Sequence, residues 1–112
     1  QIGVDIEFID KKRDFYRLAS NFFHKDEVTS INRNDVNKFY QLWTLKESMA
    51  KLNGQPLFSL LASDVKELTK NYQLFSGVYS THYLSLICSE SINPVLVNVI
   101  NQNNLKLDIK DK

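Results

Sequence analysis

Cysteine, glycine and proline are scarce in this sequence, which has one, three and two of them among 112 residues. The single thiol, Cys88, excludes a disulfide within the chain and is typical of a reducing compartment, so we expect a cytoplasmic protein. The few glycines form no glycine-rich phosphate loop, which excludes the P-loop and Rossmann fingerprints. No apolar run reaches the roughly 20 residues of a membrane span, so we expect no membrane partner.

An excess of charge of one sign is also lacking. Lys and Arg number 14 and Asp and Glu 13, which gives a net charge of +1. Nucleic-acid-binding domains usually carry a basic excess, so we expect no nucleic-acid partner, and a small RNA-binding domain is the weaker alternative. Hydrophobic residues make up 43% of the chain, which favours one globular domain over residues 1–112. A chain of this length buries only a modest core, so a partner surface or a second copy of the fold would add to the buried apolar area.

Apolar spacing divides the chain into helical and extended segments. We predict a strand at Ile2–Phe8, helices at 15–23, 25–32 and Val36–Asn53, and strands at 72–79, 82–89 and 95–100. The interval 60–69 fits either a helix or a strand, and we expect the tail 101–112 to fray. This order predicts an α+β fold, with helices packed on one face of a small antiparallel sheet.

Two acidic side chains share one face of the first predicted strand. Asp5 and Glu7 are two positions apart, so both carboxylates leave the same side of the strand. Like charges held this close repel unless a cation or a proton intervenes, and oxygen ligands of this kind suit Mg²⁺. Taken alone, the pair is explained more simply as the solvated face of an edge strand.

The long predicted helix is apolar on two sides, which indicates a buried central helix. Its stripes are Leu42, Leu45, Met49 and Leu52 on one side and Phe39, Trp43 and Ala50 on the other. We expect Thr44 and Ser48 on its solvent face. Glu47 lies toward the second stripe, with Lys46 and Lys51 nearby. An ion pair between Glu47 and Lys51 is the simpler explanation. The alternative is a third carboxylate for a metal, with two ammonium groups for phosphate oxygens.

Two segments together resemble the signature of the 4′-phosphopantetheinyl transferases. GVDIE at 3–7 matches G-(I/V)-D-x-E, and FYQLWTLKESMAK at 39–51 contains (F/W)-(S/T/C)-x-K-E-(S/A)-x-x-K. Between them, NFFHKDE at 21–27 is similar to the family's R-F-F-S-x-x-E. The F-Y-x-L-W form and the closing hairpin are similar to the surfactin-type branch and not to the shorter holo-acyl-carrier-protein synthase branch. The resemblance covers residues 2–100.

The resemblance implies an enzyme and a role for each matching residue. It implies transfer of 4′-phosphopantetheine from coenzyme A to a serine of an acyl or peptidyl carrier protein, with release of adenosine 3′,5′-bisphosphate. The implied Mg²⁺ ligands are Asp5, Glu7 and Glu47. The implied contacts to coenzyme A phosphates are Lys46 and Lys51. The implied catalytic set is Glu27, Glu47 and Lys51, where Glu27 matches a family glutamate near the metal that is sometimes given a role in activating the acceptor hydroxyl.

Three departures from the family pattern accompany the match. Asn21 replaces an arginine, which removes one cationic contact, and His24 replaces a small hydroxyl residue and is expected to be a surface or capping imidazole. Surfactin-type enzymes are longer and consist of two similar halves with coenzyme A between them. We therefore expect this chain to be the C-terminal half of such an enzyme, or a short enzyme that assembles as an oligomer. A non-catalytic fragment or oligomeric module that lacks the N-terminal half is the alternative.

Whether the chain is a C-terminal half or a short enzyme, the surface that would meet the N-terminal half should be apolar and exposed in a lone monomer. We therefore expect self-association as a homodimer or trimer. A basic patch is also present, formed by Lys11, Lys12, Arg13, Arg17 and Lys25. It is either a docking surface for an acidic carrier protein or a solvated turn. Cys88, within an apolar run, is expected to be a buried structural thiol.

Overall fold

Three antiparallel strands and four α-helices form residues 1–89, the part of the chain that the computed structural model describes. The elements are β1 (Ile2–Phe8), α1 (Phe15–Phe22), α2 (Lys25–Ser30), α3 (Val36–Asn53), a 3₁₀ turn (Leu57–Ser59), α4 (Val65–Leu68), β2 (Gln73–Tyr79) and β3 (His82–Cys88). The predicted α+β class is confirmed. The interval 60–69 holds α4 and no strand. The strand predicted at 95–100 and the tail 101–112 lie outside the described residues.

The sheet has the order β1-β3-β2, and both pairs are antiparallel. Asp5 lies opposite Ser85 in β3, and Ser85 lies opposite Ser76 in β2. The hairpin between β2 and β3 turns at Ser80, whose φ of 57° is in the left-handed region. Strand β1 is therefore hydrogen-bonded to β3, which comes last among the described elements.

Helix α3 has clear start and stop signals. The Oδ1 of Asp35 accepts a hydrogen bond of 3.0 Å from the backbone N–H of Lys38, which caps the amino end. Gly54, with a φ of 65°, ends the helix in the left-handed conformation that glycine adopts without strain. The predicted bounds of α3 are confirmed at both ends.

The prediction that Thr44 and Ser48 lie on the solvent face of α3 is wrong. Both are fully buried against β3. The Thr44 and Ser85 hydroxyl oxygens are 2.6 Å apart, and the Ser48 hydroxyl donates to the Ser85 carbonyl at 3.2 Å. Small hydroxyl side chains let the helix approach the sheet closely while each buried polar group keeps a partner. The inner face of the sheet is therefore polar at its centre.

An aromatic cluster packs on the other side of α3. The Phe39 ring is fully buried and stacks on Phe23 at 5.5 Å and on Trp43 at 5.9 Å between centroids. These contacts join α1 and α2 to the central helix and fix the indole of Trp43.

The outer face of β1 is apolar and open to solvent. The exposed fractions are 53% for Ile2, 41% for Val4, 52% for Ile6 and 58% for Phe8. The predicted burial of Cys88 is confirmed. Among the helices of residues 1–89, none combines the length and apolar character that crossing a bilayer requires.

Candidate functional site

The site lies where β1 crosses α3, and Gly3 makes that crossing possible. A Cβ at this position would overlap the backbone carbonyl of Ser48 and touch Leu52. Because the glycine has no side chain, the strand lies directly on the helix. The next inward-facing residues of β1 are Asp5 and Glu7, which therefore meet the C-terminal half of α3.

Asp5 is the most buried acidic residue of the site, with 5% of its surface exposed. Its Oδ1 accepts a hydrogen bond of 2.9 Å from the Lys51 ammonium, which also donates to the Val4 carbonyl at 3.2 Å. Its Oδ2 is buried and, among the described residues, has no hydrogen-bond partner. A buried carboxylate oxygen without a partner is costly, and a bound cation would satisfy it.

Glu7 and Glu47 are half-buried beside Asp5. Burial raises the pKa of Glu7, and the negative charge of Asp5 raises it further, while a hydrogen bond from the Trp43 side chain opposes the rise. Burial also raises the pKa of Glu47, and the charges of Asp5 and Glu7 add to the effect. The hydrogen bond to Asp5 raises the pKa of Lys51. The structure thus brings four predicted site residues together, with more negative charge than one ammonium offsets.

The donor set of this carboxylate cluster (Asp5, Glu7 and Glu47) fits Mg²⁺. It offers hard carboxylate oxygens, one of which is buried and has no hydrogen-bond partner within residues 1–89. The three side chains are not among the groups whose ligand atoms all lie within 4.8 Å of one another in residues 1–89. Binding one ion would therefore need the carboxylates to move closer together.

A second group of metal-type side chains, His24, Asp26 and Asp64, does have ligand atoms within 4.8 Å of one another. Two of its three side chains already cap short helices. The His24 Nδ1 accepts from the Asp26 backbone at 3.1 Å, and the Asp64 Oδ1 accepts from the Lys66 backbone at 3.0 Å. The expectation of a capping imidazole at His24 is confirmed, and capping accounts for the positions of His24 and Asp64.

Lys46 and Glu27 form a separate, buried ion pair. Lys46 is fully buried, and its Nζ donates to the Glu27 carboxylate and to the Leu61 carbonyl, both at 2.5 Å. The ammonium also lies 4.1 Å from the centre of the Phe23 ring. Burial lowers the pKa of Lys46, and the interactions with Glu27 oppose that shift.

Glu27 links three elements through its carboxylate. Besides Lys46, its oxygens accept from the backbone N–H groups of His24 at 3.3 Å and Val65 at 2.9 Å. The predicted site residues Lys46 and Glu27 therefore bind each other, and Lys46 also donates to the Leu61 carbonyl. Lys51, in contrast, binds Asp5.

A cleft of about 990 Å³ opens at the end of β1 that follows Glu7. Phe8, Ile9 and Phe15 contribute apolar lining, and Lys11 and Lys12 contribute positive charge. Arg33 lines it too, with its guanidinium 4.3 Å from the centre of the Tyr16 ring. Of the predicted basic patch, Arg13, Arg17 and Lys25 are exposed but are not among the residues that line the cleft.

Two contributions to the site escaped the sequence reasoning. The sequence pattern places Trp43 only in an apolar stripe, yet its side chain also acts on Glu7 by lowering the pKa of that carboxyl. Gly3 was noted only as part of a motif, yet it sets the distance between β1 and α3. Gly3 inside the alternating pattern of β1 was the available signal, because a glycine in a strand often marks a close backbone approach.

Comparison with known proteins gives a consistent result. Residues 1–99 match the family model described as the 4′-phosphopantetheinyl transferase superfamily. The chain is 30% identical over 97 residues to the 4′-phosphopantetheinyl transferase Sfp of Bacillus subtilis, which covers 83% of this chain and 42% of that protein. It is 33% identical over 61 residues to the 4′-phosphopantetheinyl transferase gsp of Aneurinibacillus migulanus, covering 51% of this chain and 25% of that protein. The matches span less than half the length of these relatives. No solved structure matches the chain.

Proposed function

The chain belongs to the 4′-phosphopantetheinyl transferase superfamily, and from that premise we propose that it transfers the 4′-phosphopantetheine group of coenzyme A to a serine of an acyl or peptidyl carrier protein. The observation that carries the proposal is the carboxylate cluster, in which the Lys51 ammonium pairs with Asp5 while the Asp5 Oδ2 has no partner in the described part of the chain. A carboxylate cluster with an adjacent cation suits a metal-bound diphosphate.

In this proposal Asp5, Glu7 and Glu47 hold Mg²⁺, and Lys51 contacts a phosphate of coenzyme A. The chemistry that Mg²⁺ supplies when bound is neutralisation of charge on the diphosphate. The serine oxygen attacks the phosphorus that carries the pantetheine arm, and the bond from that phosphorus to the bridging oxygen breaks. Adenosine 3′,5′-bisphosphate leaves, and the serine proton passes to solvent. Lys51 stabilises the charge that develops on the leaving phosphate.

Lys46 and Glu27 take a positioning role in the proposal. A contact of Lys46 with coenzyme A, or of Glu27 with the serine, would first require a fully desolvated ion pair to break. Lys46 precedes Glu47 in α3, so the pair holds the helix where Glu47 faces Asp5. The direct contacts implied by the family resemblance are the less favoured assignment.

The cleft beside Glu7 is the surface that we assign to the carrier protein. Lys11, Lys12 and Arg33 line the cleft together with apolar side chains that include Phe15. A partner with acidic side chains around an apolar residue is complementary to this surface. Docking there would bring its serine toward Glu7.

The outer face of β1 supports association with a second copy of this chain. Its four apolar side chains are 41–58% exposed, and the chain spans less than half the length of the relatives named above. A homodimer or trimer that covers this face would supply surface that a lone copy lacks. The same two observations favour the second candidate function, a non-catalytic oligomeric module.

The intact mass of an apo-carrier protein tests the proposal. The carrier is incubated with this chain, coenzyme A and Mg²⁺, with a chelator in the control. We expect a metal-dependent mass gain of one phosphopantetheine. No gain, together with no Mg²⁺-dependent binding of coenzyme A by calorimetry, would favour the non-catalytic module. A gain that persists in the Asp5→Ala protein would contradict the assigned site.

A further inference from the structure

Lys51 occupies one oxygen of the carboxylate on which the cluster is centred. Its Nζ lies 2.9 Å from the Asp5 Oδ1 and 3.2 Å from the Val4 carbonyl, while the Asp5 Oδ2 is buried without a partner among residues 1–89. The ammonium and a metal ion would therefore draw on the same carboxylate.

Two cations at one carboxylate repel each other. A divalent ion shared by Asp5, Glu7 and Glu47 must therefore either tolerate the ammonium or displace it from Oδ1. Displacement is sterically simple, because the Lys51 side chain is 55% exposed and lies in the last turn of α3. Its stem can turn toward solvent without opening the core.

We propose that Lys51 is the resident counter-ion of the carboxylate cluster and competes with a divalent cation for Asp5. The inference rests on the proposed function for the identity of the site. It gives Lys51 a second role, competition with the cation, beside the proposed contact with a phosphate. Once the ammonium leaves Oδ1, it is free to meet an anionic group such as a diphosphate. One side chain thereby couples cation binding to phosphate contact.

The test is a titration of the full chain with Mn²⁺ in the absence of coenzyme A, in which electron paramagnetic resonance measures free Mn²⁺. Lys51→Met removes the charge and keeps the length of the side chain. We expect Lys51→Met to bind Mn²⁺ about three- to tenfold more tightly than the unmodified chain. Lys51→Arg keeps the charge and should bind within about twofold of the unmodified chain.

Lys70→Met is the matched control, because it removes one positive charge from an exposed pair with Glu67. It should leave Mn²⁺ affinity unchanged, and circular dichroism confirms that each variant is folded. Equal or weaker Mn²⁺ binding by Lys51→Met would overturn the inference, as would the absence of Mn²⁺ binding in both proteins.

The outcome is separate from that of the proposed function, since no transfer is measured. A chain that does not modify a carrier, but binds Mn²⁺ more tightly after Lys51→Met, keeps the inference and loses the function. A chain that transfers the group, but gains no Mn²⁺ affinity, keeps the function and loses the inference.

Discussion

Lys46 donates a hydrogen bond of 2.5 Å to Glu27, and solvent reaches almost none of either side chain. Lys46→Met would leave the Glu27 carboxylate buried without its cation, which costs about 3–5 kcal/mol. We expect that loss in urea denaturation. The double variant Lys46→Met with Glu27→Gln should lose less than the sum of its two single variants, because neither charge is then unpaired.

The exposed pair of Lys70 and Glu67 is the control for this prediction. Lys70→Met should change the free energy of unfolding by about 0.5 kcal/mol or less. If Lys46→Met lowers the free energy of unfolding by no more than Lys70→Met does, the buried pair does not hold the helices together.

Gly3→Ala should be severe despite its small size. The added methyl group would overlap the Ser48 carbonyl, which is part of the helix backbone and cannot rotate away. We expect a loss of about 3 kcal/mol or more in thermal or chemical unfolding. Gly54→Ala is the comparison, because open space surrounds that position and only its left-handed backbone resists a side chain. It should cost about 1–2 kcal/mol. Equal losses would contradict the close approach.

Asp5→Asn should weaken Mn²⁺ binding at least tenfold, because it removes the charge of the most buried carboxylate of the proposed cluster. Calorimetric titration of each protein with Mn²⁺ measures the effect. Asp26→Asn is the discriminating control, since Asp26 belongs to the capping group with His24 and Asp64. A larger loss for Asp26→Asn than for Asp5→Asn would place the metal in that group and not in the carboxylate cluster.

Glu47→Gln should stabilise the metal-free protein at neutral pH. The pKa of Glu47 is raised in the folded state, first by burial and then by the Asp5 and Glu7 charges, so the folded protein holds that proton more tightly than the unfolded chain. The free energy of unfolding therefore falls as the pH rises from 4.5 through the raised pKa of Glu47, and it remains lower at every pH above that pKa. The melting temperatures of Glu47→Gln and the unmodified chain are measured in a chelator across a range of pH. At pH 7 that of Glu47→Gln should be higher, and below pH 4.5 the two should become equal. A lower melting temperature for Glu47→Gln at pH 7 would refute this.

Ile6→Ser should weaken self-association, since it places a hydroxyl in the middle of the exposed apolar face of β1. Sedimentation velocity at several concentrations should show a dissociation constant raised about tenfold or more. Phe58→Ser removes a more exposed aromatic side chain from the 3₁₀ turn and should leave the dissociation constant unchanged. Association that survives Ile6→Ser but not Phe58→Ser would locate the interface elsewhere.

The local signals in the sequence were sufficient for the limits of α3, although α2 ends at Ser30, two residues before its predicted end. Asp35 and Gly54 mark the ends of α3 because capping depends on neighbouring residues only. The alternation of β1 likewise predicted which side chains share a face, including Asp5 and Glu7. These interactions are short in range, so a single sequence contains them.

The burial of polar side chains was not predictable in the same way. Thr44 and Ser48 are buried because Ser85, far along the chain, offers them hydrogen bonds. Lys46 is buried because Glu27 and the Leu61 carbonyl surround its ammonium. Hydrophobic patterning assigns such residues to solvent, and only the tertiary partner changes that assignment.

The pairing of Asp5 with Ser85 has a consequence for synthesis on the ribosome. The acidic residues of β1 and α3 are synthesised before β3, the strand with which β1 pairs in residues 1–89. A long loop must then close before those hydrogen bonds form, which is slow compared with helix formation. The nascent chain therefore carries its apolar strand without this partner until β3 has been synthesised, which makes this interval the one in which aggregation or chaperone binding is expected.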